Sequence, residues 1–240
     1  MHKFEVPAEF AERILARRGR SHAYETIDPA HTALLVIDMQ RTFMDPGAPS
    51  EVPVARDIVP NINRLSRALR AAGGLVAFSI ATFPRVPGGG WNSFFDHMVS
   101  PEIAQAILEG LAPGAPGRAL WPALEVEPAD VQFDKARYSA FARHGSDIEK
   151  ALVARDIDTV IVVGTMTNLC CDSTARDAMQ LGFKTIMVSD ANAARTDAEH
   201  QAALLTFKAS FGDVRTTEEM VGLIEMGTAT ATNAEASAAE

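Results

Sequence analysis

The sequence predicts an α/β domain: a three-layer, doubly wound sheet, mostly parallel, with helices on both faces. Three observations lead there. Short apolar runs alternate with segments of helical periodicity at least five times along the chain, the pattern of βαβ units. The runs are continuously apolar, as expected of strands buried on both faces. A chain of 240 residues, 47% hydrophobic and 22% charged, is long enough for one such core and ordinary for a globular protein.

Residues 1–30 read as an N-terminal extension, in which PAEFAERILARRG sets Phe10, Ile14 and Leu15 at helical spacing before a glycine stop. TALLVIDMQ, 32–40, is the first buried strand and ends in an acid, Asp38. Residues 56–72 carry Ile58, Ile62, Leu65 and Leu69 at helical spacing and stop at Gly73 and Gly74, after which LVAFSI is the second strand. The segment 82–130 breaks the alternation: it is rich in proline, holds a glycine run and the aromatic stretch WNSFF, and has one expected helix near 101–110. Long loops of this kind are often functional. The alternation then resumes. VQFDK, TVIVVG, KTIMVSD and the short edge run DVRTT are strands, and DIEKALVARD, CDSTARDAMQLG, DAEHQAALLTFKASFG and EEMVGLIEM are helices. The main domain therefore spans 31–227, and the small, polar segment 228–240 is expected to be a disordered tail.

A net charge of -9 argues against nucleic acid or an anionic membrane as partner, and leaves small molecules open. The first twenty residues carry charge throughout and contain no apolar leader core, and no run is long enough to span a bilayer. A reducing cytoplasm is the expected compartment. The two cysteines of the chain, Cys170 and Cys171, are adjacent. In that compartment they are not expected to form a structural disulfide. With no CxxC and no clustered histidine beside them they do not make a zinc site.

In doubly wound sheets ligands bind at the carboxyl ends of the strands. That directs attention to Asp38, Lys135, the stretch from Gly164 to Cys171, and Asp190. Each has an ordinary alternative: a capping carboxylate, a solvated lysine, a small buried cysteine. Together they suffice for acyl transfer without histidine. A helix N-terminus lowers a thiol pKa, a carboxylate accepts its proton, and a lysine stabilises the developing charge. The N–H groups of the same turn can bind an oxyanion.

LLVIDMQ, FDKARYSAF and GTMTNLCCDSTARDA resemble the three signature regions of the isochorismatase-like cysteine hydrolase superfamily; VSDANAARTDAEHQAAL is also typical of it. The third region matches the pattern G-x-x-T-[ND]-x-C-x-x-x-T-A-x-[DE]-A, and the resemblance spans about 32–224. It implies a triad of Asp38, Lys135 and Cys170, an oxyanion hole from the N–H groups of Met166 and Cys170, and a non-proline cis peptide between Thr165 and Met166. Cys171 takes a slot that the family fills with a small apolar residue. It reads as core packing, with a resolving or redox role as the alternative. Adjacent side chains on a helix point about 100° apart, so the two thiols cannot share one job.

Within the superfamily, isochorismatases proper lack the nucleophilic cysteine, so vinyl-ether hydrolysis is not expected. Nicotinamidases carry an aspartate–histidine metal site after the second strand. Here that region reads FSIATFPRVPGGGWNSFF, without histidine. No metal and no other cofactor are expected, and nicotinamide is disfavoured. The resemblance then points to the metal-free amidohydrolase branch (ureidoacrylate, N-carbamoylsarcosine, maleamate, biuret and streptothricin hydrolases), and most to the ureidoacrylate amidohydrolases. The expected activity is cleavage of a small amide, ureido or carbamoyl C–N bond through a thioester. The alternatives are a redox-sensing or non-catalytic protein on the same fold, or a nicotinamidase-type or isochorismatase-type hydrolase. Candidate pocket residues are Phe43, Trp91, Phe94, Phe95, Tyr138 and Phe141, with core packing as the ordinary alternative for each, and Asn92 and Arg137 for a polar or anionic substrate group. Many relatives in the superfamily are dimers or tetramers. A homodimer or homotetramer is expected here, with the N-terminal arm or the insertion crossing to a neighbour; the alternative is an arm folded back on its own subunit.

Overall fold

A computed structural model describes residues 1–48, 50–83 and 90–238, with side chains as far as residue 230. Residues 84–89 of the insertion, with most of its glycine run, and the last two residues of the expected tail lie outside the described residues. The strands are β1 (Thr32–Ile37), β2 (Leu75–Ala81), β3 (Val131–Lys135), β4 (Thr159–Thr165), β5 (Lys184–Ala193) and β6 (Asp213–Arg215). They form one sheet in the order β3-β2-β1-β4-β5-β6, parallel throughout. The helices are α1 (Ala8–Arg18), α2 (Arg41–Met44), α3 (Val59–Ala71), α4 (Asn92–Phe95), α5 (Pro101–Gly110), α6 (Ile148–Val153), α7 (Asp172–Gln180), α8 (Asp197–Ser210) and α9 (Thr217–Ala238). Among the described residues no helix is long and apolar enough to cross a membrane.

The strand at the centre explains the three layers. All six residues of β1 are buried, and successive side chains face opposite sides of a sheet. Leu34 and Val36 pack with Ile62, Leu65 and Leu69 of α3 and with Leu223 and Ile224 of α9. Ala33, Leu35 and Ile37 pack with Leu152 of α6, Ala175 and Ala178 of α7, and Leu204 and Phe207 of α8. Local signals agree with this packing. Gly73 ends the α3 region at a φ of 82°, and Thr196 and Glu199 close a capping box at the start of α8.

The sheet order also fixes where a ligand can enter. The chain runs outward from β1 to β2 and β3, then crosses to β4 on the other side of β1. That reversal opens a crevice beyond the carboxyl ends of β1 and β4. Ile37 and Gly164 are register partners, so Asp38 and Thr165 leave the sheet side by side. Gly164 permits this close approach: its φ is 117°, and a Cβ there would lie 2.2 Å from the carbonyl oxygen of Ile37.

Two segments differ from the sequence expectations, and a third bears on one of them. β5 continues to Ala193, which places Asp190 inside the strand. Its Oδ1 accepts hydrogen bonds from the N–H and hydroxyl of Thr217, both at 2.7 Å, so this carboxylate starts α9 and does not face the crevice chemistry. The expected tail is helical as far as Ala238. The run from Thr228 is rich in alanine and has no proline to stop it; the hydroxyls of Thr228 and Thr230 donate to the carbonyls of Ile224 and Met226. The N-terminal arm, for which crossing to a neighbour and folding back were both open, makes contacts with its own domain. The terminal amino group pairs with Asp57 at 3.2 Å, the Glu5 N–H donates to Gln201 at 3.1 Å, and Arg17 donates to the Ala209 carbonyl at 3.2 Å. Its apolar stripe is divided: Ile14 is buried, while Leu15 is 49% exposed.

The position of Gly164 yields a stability prediction. Gly164→Ala adds a methyl group against the β1 backbone at a φ that disfavours side chains, and the expected loss is about 3 kcal/mol. Denaturant unfolding monitored by circular dichroism measures it; an unchanged midpoint would show that β1 and β4 can move apart freely.

Candidate active site

Asp38, Lys135 and Cys170 come from three separate elements and meet at the crevice. Asp38 follows β1 with a φ of 50°, in the left-handed region, and is 1% exposed. Its neighbours hold it on two sides. The Ser79 hydroxyl of β2 donates to Oδ1 at 2.6 Å and accepts from the Asp38 N–H at 2.9 Å. The Thr165 hydroxyl at the end of β4 donates to the Asp38 carbonyl at 3.0 Å. Ser79 was not among the sequence candidates; the signal it left is one hydroxyl in the apolar run LVAFSIA.

Lys135 is the last residue of β3 and is fully buried. Its Nζ lies 2.7 Å from Asp38 Oδ2 and donates to the Arg137 carbonyl at 2.8 Å. Burial works against the ammonium, but the Asp38 carboxylate and Cys170 outweigh it and hold the Lys135 pKa above its ordinary value. Oδ2 has this ion-pair contact and no hydrogen-bond partner in satisfactory geometry. It is the acceptor left for the thiol.

Cys170 sits in a π-helical turn, Thr167–Cys171, that joins β4 to α7. The turn begins after a cis peptide between Thr165 and Met166, the bond that the family resemblance implies. The Met166 carbonyl accepts from the N–H groups of Leu169 and Cys171, at 3.0 and 3.1 Å, and fastens the turn to its first residue. Cys170 is 7% exposed and Cys171 is fully buried. The pKa of Cys170 is pushed up to about 12. Burial is the main cause; Lys135 opposes it, and the charge of Asp38 adds to it. The sequence expectation of a depressed thiol pKa took no account of this burial, which with the adjacent carboxylate raises it. Cys171 packs among Val162, Ala175 and Leu204, and burial raises its pKa well above the ordinary thiol value.

Thr167 and His200 brace the turn from behind. Both are fully buried, and Thr167 Oγ1 lies 2.9 Å from His200 Nδ1. Burial, with a smaller contribution from His2, lowers the His200 pKa to about 4, so its imidazole is neutral near pH 7. The His2 ring of the N-terminal arm stacks on His200 at 4.7 Å.

Cys170 and Asp38 open onto a cavity of about 470 Å³. Of the sequence-selected pocket residues, Phe43, Trp91, Phe94 and Tyr138 line it, as does Met166. Four others do not. Asn92 is on the exposed side of α4, because a single helical turn that directs Trp91 and Phe94 inward leaves the next position outside. Arg137 donates to the Ala136 carbonyl at 2.6 Å, stands 5.8 Å from the Trp91 ring, and serves Lys135 through its own carbonyl. Phe95 packs on Phe83 and Phe94, and Phe141 on Phe183. Arg195, two residues beyond β5, lines the cavity without having been singled out; its position just past a strand end was the available signal. Another cavity, about 310 Å³, lies between the arm and β6 and contains none of Asp38, Lys135 and Cys170. Among the described residues no three His, Cys, Asp or Glu side chains group closely enough to hold a metal ion.

Comparison with known proteins agrees with this geometry. The Isochorismatase domain model matches residues 32–219. An uncharacterized isochorismatase family protein of Bacillus subtilis, YwoC, is 30% identical over 201 residues, covering 81% of this chain and 95% of that protein. The ureidoacrylate amidohydrolase RutB of Methylobacterium radiotolerans is 31% identical over 215 residues, covering 82% of each. The crystal structure of a cysteine hydrolase from Pseudomonas syringae superposes with a TM-score of 0.77 at 33% identity, over 87% of this chain and 99% of that one. With a buried Asp–Lys–Cys cluster at the switch point of a parallel sheet, and a family match running through all six strands, the chain belongs to the isochorismatase family of hydrolases.

Proposed function

We propose that the protein is a cysteine amidohydrolase that cleaves an amide, ureido or carbamoyl C–N bond through a thioester. The observation that carries this reading is the convergence of Asp38, Lys135 and Cys170 at one cavity, which Asp38 and Cys170 line and beneath which Lys135 is buried against Asp38. The likeness to RutB proteins supports the C–N specificity.

The chemistry follows from the electrostatics. With its pKa near 12 the Cys170 thiol is protonated at rest. Proton transfer to Asp38 therefore accompanies attack of the sulfur on the substrate carbonyl. The Met166 and Cys170 N–H groups donate to the tetrahedral oxyanion. The carboxyl proton of Asp38 then passes to the departing nitrogen, and ammonia or an amine leaves. A water, deprotonated by Asp38, attacks the thioester; the acid product departs and the thiol is restored. Lys135 stays charged throughout and opposes the negative charge, first on Asp38 and then on the reacting centre.

Cys170→Ala is expected to abolish turnover while the protein stays folded. Cys171→Ala loses about 1 kcal/mol of packing and keeps most activity. Ammonia release from a panel of amides, ureido acids and carbamoyl amines reads both, and the opposite ranking of the two variants would remove Cys170 from its role.

The protonation state of the thiol is tested by alkylation. Below its pKa the thiolate fraction grows about tenfold per pH unit. Iodoacetamide labelling of Cys170, followed by mass spectrometry, should therefore rise without a plateau between about pH 7 and pH 9. A plateau near neutrality would show a thiolate already formed.

Dialysis against EDTA is expected to leave turnover unchanged, because the proposed chemistry polarises the carbonyl with backbone N–H groups. A loss of activity that added zinc restores would overturn the metal-free reading.

A further inference from the structure

The cavity that Cys170 and Asp38 share is lined mostly by apolar side chains. α5 supplies part of this apolar wall. Along this helix Ala104 and Leu111 are buried, at 3% and 2% exposure, whereas Ile103 and Ile107, one turn apart, line the cavity. The Ser100 hydroxyl accepts from the Ile103 N–H and fixes the start of the helix. Beside α5 stands a continuous group of rings. Trp91 stacks on Phe94 at 4.7 Å, meets Tyr138 edge-on at 4.6 Å, and lies 5.8 Å from Phe83; all four line the cavity.

Among the described lining residues the ionisable groups are Asp38, Cys170, Tyr138 and Arg195. Asp38 belongs to the reacting cluster, Tyr138 has a pKa raised by burial, and Arg195 is the cation among the described lining residues. Met98 and Ile103, 73% and 48% exposed, border the same space. Apolar side chains are left facing an open cavity of about 470 Å³, a volume in the range of sites for drug-sized ligands. A compact polar ureido acid would occupy the space beside Cys170 and leave this wall in contact with water. An apolar group would remove the wall from water, the favourable direction.

We propose that the substrate cleaved at Cys170 carries an apolar body, an aryl ring or an alkyl chain of several carbons, which docks against Trp91, Phe94, Ile103 and Ile107. This substrate class rests on the amidohydrolase reading above. The reacting C–N group lies at Cys170, and the body extends from it toward α5. Specificity is then set by apolar contact at one end and by the buried triad at the other.

The test is a series of primary amides, from acetamide through butyramide and hexanamide to octanamide, with phenylacetamide as the aryl member and 3-ureidopropionate as the compact polar control. On the full-length protein kcat/KM should rise about threefold per added methylene until the wall is covered, and phenylacetamide should exceed the ureido acid. Ile103→Glu, at a half-exposed position, should lower the octanamide-to-acetamide ratio about tenfold. Binding of the same series to Cys170→Ala, measured by calorimetry, should follow chain length without turnover. Turnover that is flat with chain length, or greatest for the ureido acid, would overturn the apolar subsite and leave the amidohydrolase reading in place. No turnover and no acylated Cys170 with any member, together with chain-length-dependent binding to Cys170→Ala, would overturn the amidohydrolase reading and keep the apolar site.

Discussion

The ion pair between Asp38 and Lys135 takes two full charges into a site where neither partner is appreciably exposed. Removing such charges from water costs several kcal/mol per ion, and the cost is offset only by close geometry and further hydrogen bonds. The sheet supplies both. β1 and β3 deliver the two charges at 2.7 Å, β2 contributes the Ser79 hydroxyl, and β4 contributes the Thr165 hydroxyl. Four strands thus end in one polar cluster. Loss of either charge would leave the other buried and uncompensated, so much of the order at the carboxyl edge depends on this contact.

The same pair determines how the thiol behaves. Lys135 favours a thiolate and Asp38 disfavours it, and burial, the largest influence, also disfavours it. The balance leaves a protonated thiol beside a carboxylate oxygen with room to accept. A buried, protonated thiol is poorly reactive toward oxidants. Cys171, one residue on, feels the same charges but is fully buried within the apolar cluster on that face of the sheet and does not line the cavity. The two adjacent thiols are separated in function by the direction in which the turn aims them.

Segments outside the sheet complete the site in different ways. The N-terminal arm reaches it indirectly, through His2 on His200 and His200 on Thr167, at the base of the nucleophile turn. The insertion reaches it directly, with α4 and α5 supplying rings and isoleucines to the cavity. An arm helix of eleven residues is marginal in isolation. The burial of Ile14 and the bond from Arg17 to the Ala209 carbonyl of α8 give it the tertiary support it lacks alone.

Much of this was legible in the sequence, for a local reason. Continuous apolar runs, helical periodicity and glycine stops depend on neighbouring residues, and they determined the layers, the strands and the helix at Pro101–Gly110. Asp38, Lys135 and Cys170 could be singled out because Lys135 ends a strand, Asp38 and Cys170 each follow one, and all three fall in motifs that resemble a family's signature regions. Contacts between segments remote in sequence had no such signature. Ser79 is 41 residues from Asp38 and Thr165 is 127, and only strand register brings them together. Asp190 looked like a strand-end acid, but β5 ran three residues further and turned it to α9. Asn92 and Arg137 had suitable chemistry but are not among the described residues that line the cavity, a matter of direction that the sequence does not encode residue by residue. The thiol's pKa belongs to the same class: a helix terminus can be read from a motif, whereas desolvation depends on every element packed around Cys170, and only the folded chain supplies it.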